Sequence, residues 1–357
     1  MIASCARRRS GSALVIVLLL VVVLAVLVWS AAVDAQVELK YASVLRRRRQ
    51  CEHLASSGVA IATMLMEKQR GVGVNDLGAD DDRWFDAAQR LARGQPIQGL
   101  VEPLGDGEII LDIVPEPGRR NVNLLLADDW ERILENAGVP EENWAILIDS
   151  FFDWIDPDDS PRQDGAETED YYNKLDPPYT AKNGPLDTVR ELLLIRGFTE
   201  PILSGGPLIV EDMDPLASAS RFNRTTRFSD TNVVTVAGIE DLLTTYGDGK
   251  VNVQSASAEV LMTLPEIDEI AAMALIEERG DFDDPNDDAA REAFSSVEDV
   301  FARVPGLSYS LNDRITVHSE YYRITSVGRI GRVERRVWGI VHFDGRNTRF
   351  LRWCEEP

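Results

Sequence analysis

A chain of 357 residues that is 44% hydrophobic holds enough apolar material for one large domain or two small ones. Its 37 basic residues face 60 acidic ones, for a formal charge of −23. So acidic a surface repels nucleic acid and suits a divalent cation or a basic partner protein. No GxSxG element, P-loop or HExxH motif occurs, so the common hydrolase and nucleotide signatures are absent.

The first element in chain order is an uncharged apolar run from Ala13 to Val33, long enough to cross a bilayer as a helix. Arg7, Arg8, Arg9, Ser10 and Gly11 precede it, and no small-residue cleavage site of the secretory kind follows it. Beyond it, Val37, Tyr41, Val44, Cys51, Ala55, Gly58, Ala62 and Leu65 recur at helical spacing, which predicts one long helix with a continuous stripe. Arg46 to Arg49 form a solvated turn of that helix and weaken any orientation argued from charge alone.

After a glycine-rich break (Gly71, Gly73, Gly78) come an acidic patch, Asp80 to Asp82, and an amphipathic stretch from Arg83 to Arg93. Ile109 to Val114 reads as a strand closed by Pro115 and Pro117. From Asn121 the pattern turns helical, through Trp130, Ile133 and Leu134 to Trp144–Phe152. There follows a segment dense in oxygen ligands: Asp156, Asp158, Asp159, Asp164, Glu167, Glu169 and Asp170. Hard oxygen donors in a loop suit Ca²⁺, which takes about six to eight of them. The spacing is not that of an EF-hand, and the same aspartates can equally cap helices and bind their own backbone. Paired carboxylates also allow a glycosidase reading, which nothing else in the sequence supports.

Further on, Leu186 to Gly197 predicts a helix, and Gly249 to Arg279 predicts two helices about a Leu-Pro-Glu-Ile-Asp hairpin. Glu266, Asp268 and Glu269 crowd that hairpin with the wrong charge for phosphate. The chain ends in strand-like stretches, Ile315–Val317, Tyr322–Val327 and Val333–Phe343, with Gly328 and Gly331 marking a hairpin between the last two. Cys5, Cys51 and Cys354 form no CxxC pair, and His53, His318 and His342 are scattered, so a zinc site of ordinary spacing is excluded. Cys51 and Cys354 can bridge in an oxidising compartment or stay two buried thiols; the residues leave both open.

Two features carry a family resemblance. A short basic leader, a glycine and an immediate apolar helix resemble the start of type IV prepilins and pseudopilins. The order Asp153-Trp154-Ile155-Asp156-Pro157-Asp158-Asp159, Gly165-Ala166-Glu167, Pro177-Pro178-Tyr179 and Glu191-Leu192-Leu193 resembles the central domain of K-type minor pseudopilins of type II secretion systems. Most pseudopilins carry a glutamate at the fifth mature position; here it is Ile16, as the K type has it. A carboxylate in the membrane core is costly unless paired, and a subunit with no neighbour above it has no amine there to pair.

The resemblance implies peptidase cleavage after Gly11, leaving a methylated Ser12 as N-terminus. It implies an α+β fold: a long N-terminal transmembrane helix packed on an antiparallel sheet, with a large inserted all-α domain holding helix-hairpin-helix or SAM-like modules. The parts are then a leader (1–11), a transmembrane helix (12–33), the rest of the helix with the first strands (34–120), the insertion (121–310) and the C-terminal strands (311–357). The acidic loop occupies 153–172 of the insertion and the helix-hairpin-helix-like module 249–307. Ca²⁺ in the helical domain, an inner-membrane location with a cytoplasmic N-terminus, a periplasmic bulk and a non-enzymatic role follow from it. So do the I, J and H minor pseudopilins and prepilin peptidase as partners, with no nucleic acid. The expected role is initiating or capping the pseudopilus for export across the outer membrane. The alternative is a membrane-anchored helix-hairpin-helix DNA receptor of competence type.

Overall fold

The computed structural model describes residues 12–68, 82–209, 233–280 and 293–356. The Gly71–Gly78 break and Asp80 and Asp81 of the acidic patch lie outside them. Helix α1 runs unbroken over Ser12–Lys68, about 85 Å at the usual rise per residue. Among the described residues it is the one helix long and apolar enough to cross a membrane, and it fits a single-pass anchor. The predicted stripe divides in two. Cys51, Ala55, Gly58, Ala62 and Leu65 are buried, whereas Val37, Tyr41 and Val44 are exposed because the helix there projects clear of the rest of the protein.

In chain order there follow α2 (Asp82–Ala92), β1 (Ile97–Leu104), β2 (Gly107–Pro115), β3 (Arg120–Asn121), α3 (Ala127–Ala137) and α4 (Trp144–Ile155). Next are α5 (Glu200–Ser204), β4 (Gly206–Ile209), β5 (Val233–Val236), β6 (Leu243–Thr244), β7 (Val251–Asn252) and α6 (Ala258–Met262). The chain closes with α7 (Glu269–Arg279), α8 (Val297–Arg303), β8 (Ile315–Thr316), β9 (Tyr321–Ile330), β10 (Val333–Phe343) and β11 (Thr348–Glu356).

The main sheet is antiparallel, in the order β1-β2-β9-β10-β11. Its central pairing joins β2 to β9, so the whole chain from Glu116 to Glu320 is inserted between two adjacent strands. Alternation explains which face meets α1: Tyr322, Ile324, Val337, Val341 and Phe343 join Ala55, Val59, Ala62 and Leu65 in one core. The helix lies very close to the strands. A Cβ on Gly58 would stand 2.1 Å from Ser326 Oγ, and one on Gly328 would stand 2.1 Å from the Cys51 carbonyl oxygen. Gly328 is therefore a contact residue inside β9 rather than part of a turn; Gly331, at φ 62°, makes the β9–β10 turn.

Among the described residues, the inserted region has two apolar cores, one built on Trp130, Phe151 and Trp154, the other on Val260, Leu275 and Val300. Three two-stranded ribbons among the described residues (β3–β6, β4–β5, β7–β8) accompany the helices. Two expectations change here. The Leu186–Gly197 stretch is a six-residue 3-10 helix, Val189–Leu194, which Ile195 leaves in an extended conformation to reach the core. Ile315–Thr316 pairs in parallel with Val251–Asn252 instead of joining the main sheet, because Ile315 and Val317 are buried in the second core of the insertion.

Candidate metal centre

Helix α4 ends where Asp156 turns extended and Pro157 blocks another turn. Trp154 in its last turn packs edge-on against Tyr172, 5.1 Å between centroids, and Tyr172 against Tyr179 at 5.3 Å. These rings fold the following loop back against the helix end. Asp153, fully buried, holds that loop: its carboxylate accepts the Arg162 backbone N–H at 3.1 Å and faces Arg162 Nε at 3.3 Å. Gly165 passes so close that a Cβ there would stand 1.9 Å from Asp153 Oδ2. Arg196 donates to the Gly165 carbonyl at 3.0 Å.

The fold-back gathers Asp156, Asp158 and Glu167, each offering a carboxylate oxygen within 4.8 Å of the others. Oxygens on opposite sides of a calcium ion, each bound at about 2.4 Å, stand that far apart. Both Glu167 oxygens and Asp156 Oδ1 are buried without a hydrogen-bond partner, as is Asn183 Oδ1. Buried carboxylate oxygens are ordinarily satisfied, so this group of bare acceptors fits a hard cation. Burial, and then the charges of Asp153, Asp156 and Asp159, push the Glu167 carboxyl up to about 7. Asp153 is also raised, by burial before the charge of Asp156, although the N–H groups of Arg162 and Ala166 pull it back.

The other acidic residues of the loop are not in this cluster. Asp159 accepts from Asn183 Nδ2 at 3.0 Å, Glu169 from Asn173 Nδ2 at 3.1 Å, and Asp170 from the Glu167 backbone N–H at 2.9 Å. Asp164 offers its own N–H to Asp149. They do the local capping that short polar side chains do in turns. Asp153 and Asn183 frame the cluster, although neither is among the ligands expected from the sequence. Asn183 sits at φ 49° and ties Asp158 and Asp159 to the chain beyond the tyrosines.

Three other sites have a place. Gly11 lies outside the described residues, and Ser12 is the first residue of α1. Cys51 and Cys354 are both free. Cys51 donates to the Val333 carbonyl at 3.2 Å, while Cys354 pairs across the ladder with Trp338. The register places Trp338 and Cys354 on the face opposite α1, so the possible disulfide is not formed and the sheet stands between the two thiols. The α6–α7 hairpin carries Glu266 at φ 60°, and Arg279 gives its guanidinium to the carbonyls of Val253 and Ala256 at 2.8 and 2.6 Å. Neither arrangement offers phosphate a cation.

Residues 116–205, which include the whole carboxylate cluster, match the family model for type II secretion system (T2SS), protein K. The chain is 32% identical over 193 residues to a putative type II secretion system protein K of Escherichia coli (strain K12), covering 50% of this chain and 57% of that protein. It is 25% identical over 294 residues to the type II secretion system protein K of Pseudomonas aeruginosa, covering 79% and 73%. The fold is similar to a chain in the crystal structure of the GspK-GspI-GspJ complex from enterotoxigenic Escherichia coli, with a TM-score of 0.53, 13% identity, and coverage of 91% of this chain and 99% of that one. Over the matched segments the chain is similar to protein K of type II secretion systems.

Proposed function

We propose that this protein is a minor pseudopilin that initiates or caps the pseudopilus used for export across the outer membrane, working by assembly rather than catalysis. The observation that carries this reading is α1, exposed from Leu14 to Arg49 and apolar as far as Val33, then packed by one face on the sheet from Cys51 to Met66. A bare half-helix suits lateral packing in a bundle of like helices. The bulk between Glu116 and Glu320 obstructs further subunits on its side of the sheet, which suits an end position. The solved complex of GspK with GspI and GspJ supports the I and J minor pseudopilins as partners, with H joining them by the family resemblance. Inner-membrane insertion with a cytoplasmic N-terminus, cleavage after Gly11 and methylation of Ser12 belong to the same reading. Asp156, Asp158 and Glu167 would hold Ca²⁺, which would clamp the loop after α4 and leave the chemistry of the rest of the chain untouched. Purification of the full chain from its native membranes tests the proposal. A stoichiometric complex with the I and J proteins and an N-terminus at Ser12 is expected. A chain that starts at Met1 and purifies alone overturns it.

A further inference from the structure

The two edges of the main sheet are not alike. On β1 the register shifts between Ile97 and Leu100, Gly99 gives its N–H to Asp112 Oδ1 at 2.7 Å, and Pro103 has no N–H at all. Those features blunt an edge against pairing. The β11 edge has no proline, and among the described residues no strand lies beyond it. It also shows Phe350, Leu351 and Trp353 at 41%, 39% and 43% exposure.

The residues of β11 are sorted by a bulge. Ile340 pairs with Arg352 and Val341 with Phe350, so Leu351 is the extra residue. The shift places Arg349 and Arg352 on one face, opposite His342 and Ile340, although they are three apart in sequence. Phe350 and Trp353, opposite Val341 and Gly339, share the α1 face and stack edge-on with centroids 5.6 Å apart. From Arg349 to Trp353, before the terminal Glu355 and Glu356, the edge is therefore amphipathic: aromatic beside α1, basic on the far side, where the Arg352 guanidinium lies 5.3 Å from the Trp338 ring centroid.

We propose that β11 takes an added strand from another protein, one that alternates apolar residues toward Phe350 and Trp353 with acidic residues toward Arg349 and Arg352. The open backbone edge calls for an extended segment, the aromatic face for apolar side chains, and the two arginines for carboxylates. A second copy of this chain is disfavoured as occupant, since two molecules of charge −23 repel. The site is independent of any role in a pseudopilus.

The test uses the full chain in detergent with a labelled peptide of four Val-Glu repeats. Binding that slows amide exchange at Phe350, Leu351 and Trp353 is expected, as is at least tenfold weaker binding of a Val-Lys peptide. A Val-Glu peptide N-methylated at every second residue, which removes the backbone donors of one edge, is expected not to bind. The double variant R349E/R352E is expected to lose Val-Glu and gain Val-Lys binding. Equal binding of the two peptides, tolerance of N-methylation, protection elsewhere or no binding at millimolar peptide overturns the proposal. Protection of β11 through self-association without peptide overturns it in favour of a second copy.

Discussion

Glu116, the first residue after β2, grips Arg323 of β9 through two hydrogen bonds of 3.0 and 2.9 Å, at the point where the chain leaves the sheet. Thr244 Oγ1 donates to the same carboxylate at 2.7 Å, so the insertion is tied back to the sheet at its root. Burial alone would raise the Glu116 carboxyl, but Arg323, Arg119 and Thr244 outweigh it and hold the group below the usual carboxylate range.

Removing Glu116 leaves the half-buried Arg323 guanidinium and Thr244 without their shared acceptor. Glu116→Ala is expected to cost about 2 kcal/mol in chemical denaturation of the full chain. Because the folded carboxyl is depressed, its stabilising effect is complete above the ordinary glutamate pKa and fades as pH falls through the folded value. The penalty of the variant should therefore shrink on acidification below about pH 4.5. A penalty that grows on acidification would contradict the pairing.

Ca²⁺ held at Asp156, Asp158 and Glu167 must displace the proton that Glu167 keeps up to about pH 7. Without metal, the raised Glu167 carboxyl favours the folded state below the ordinary glutamate pKa, and that advantage is lost as pH rises through about 7. The gap in Tm between calcium and EDTA should thus widen from pH 5.5 to pH 8. In Glu167→Gln it should nearly vanish. A melting temperature indifferent to EDTA at pH 8 would remove calcium from this loop.

Gly328 meets the backbone of α1, where nothing yields easily, while Gly331 faces open space. Gly328→Ala should cost about 3 kcal/mol through overpacking. Gly331→Ala, strained only by its positive φ, should cost about 1 kcal/mol. Thermal melts of the two variants give the order.

Cys354 is half-exposed and Cys51 buried. Burial pushes the Cys51 thiol up, against the pull of the backbone at Ile330 and the charge of Arg335. Native alkylation should label Cys354 within minutes and Cys51 only after unfolding. Mapping the modified peptides by mass spectrometry checks this, and a Cys51–Cys354 crosslinked peptide would refute the register described above.

Periodicity made much of this architecture readable before any coordinates. α1, β9 and β10 alternate or repeat cleanly because each buries one face against the same core. Periodicity does not reveal β1 or β11: each is an edge strand, broken by a register shift and by polar residues, so its pattern is no longer strict alternation. The acidic loop announced its chemistry by composition but not its membership. Asp153 shapes the site from inside a helix and Asn183 from beyond the tyrosines, and such contacts leave no spacing to read.

The pairing of Pro115 with Tyr322 puts the two ends of the inserted region on neighbouring strands, about 5 Å apart. A tight turn would close that gap as readily as the present excursion does. The five-stranded sheet with its helix is thus a chassis and the region from Glu116 to Glu320 a payload, joined through adjacent strands and fastened there by Glu116 and Arg323. Exchange of one payload for another need disturb neither the anchor nor the sheet.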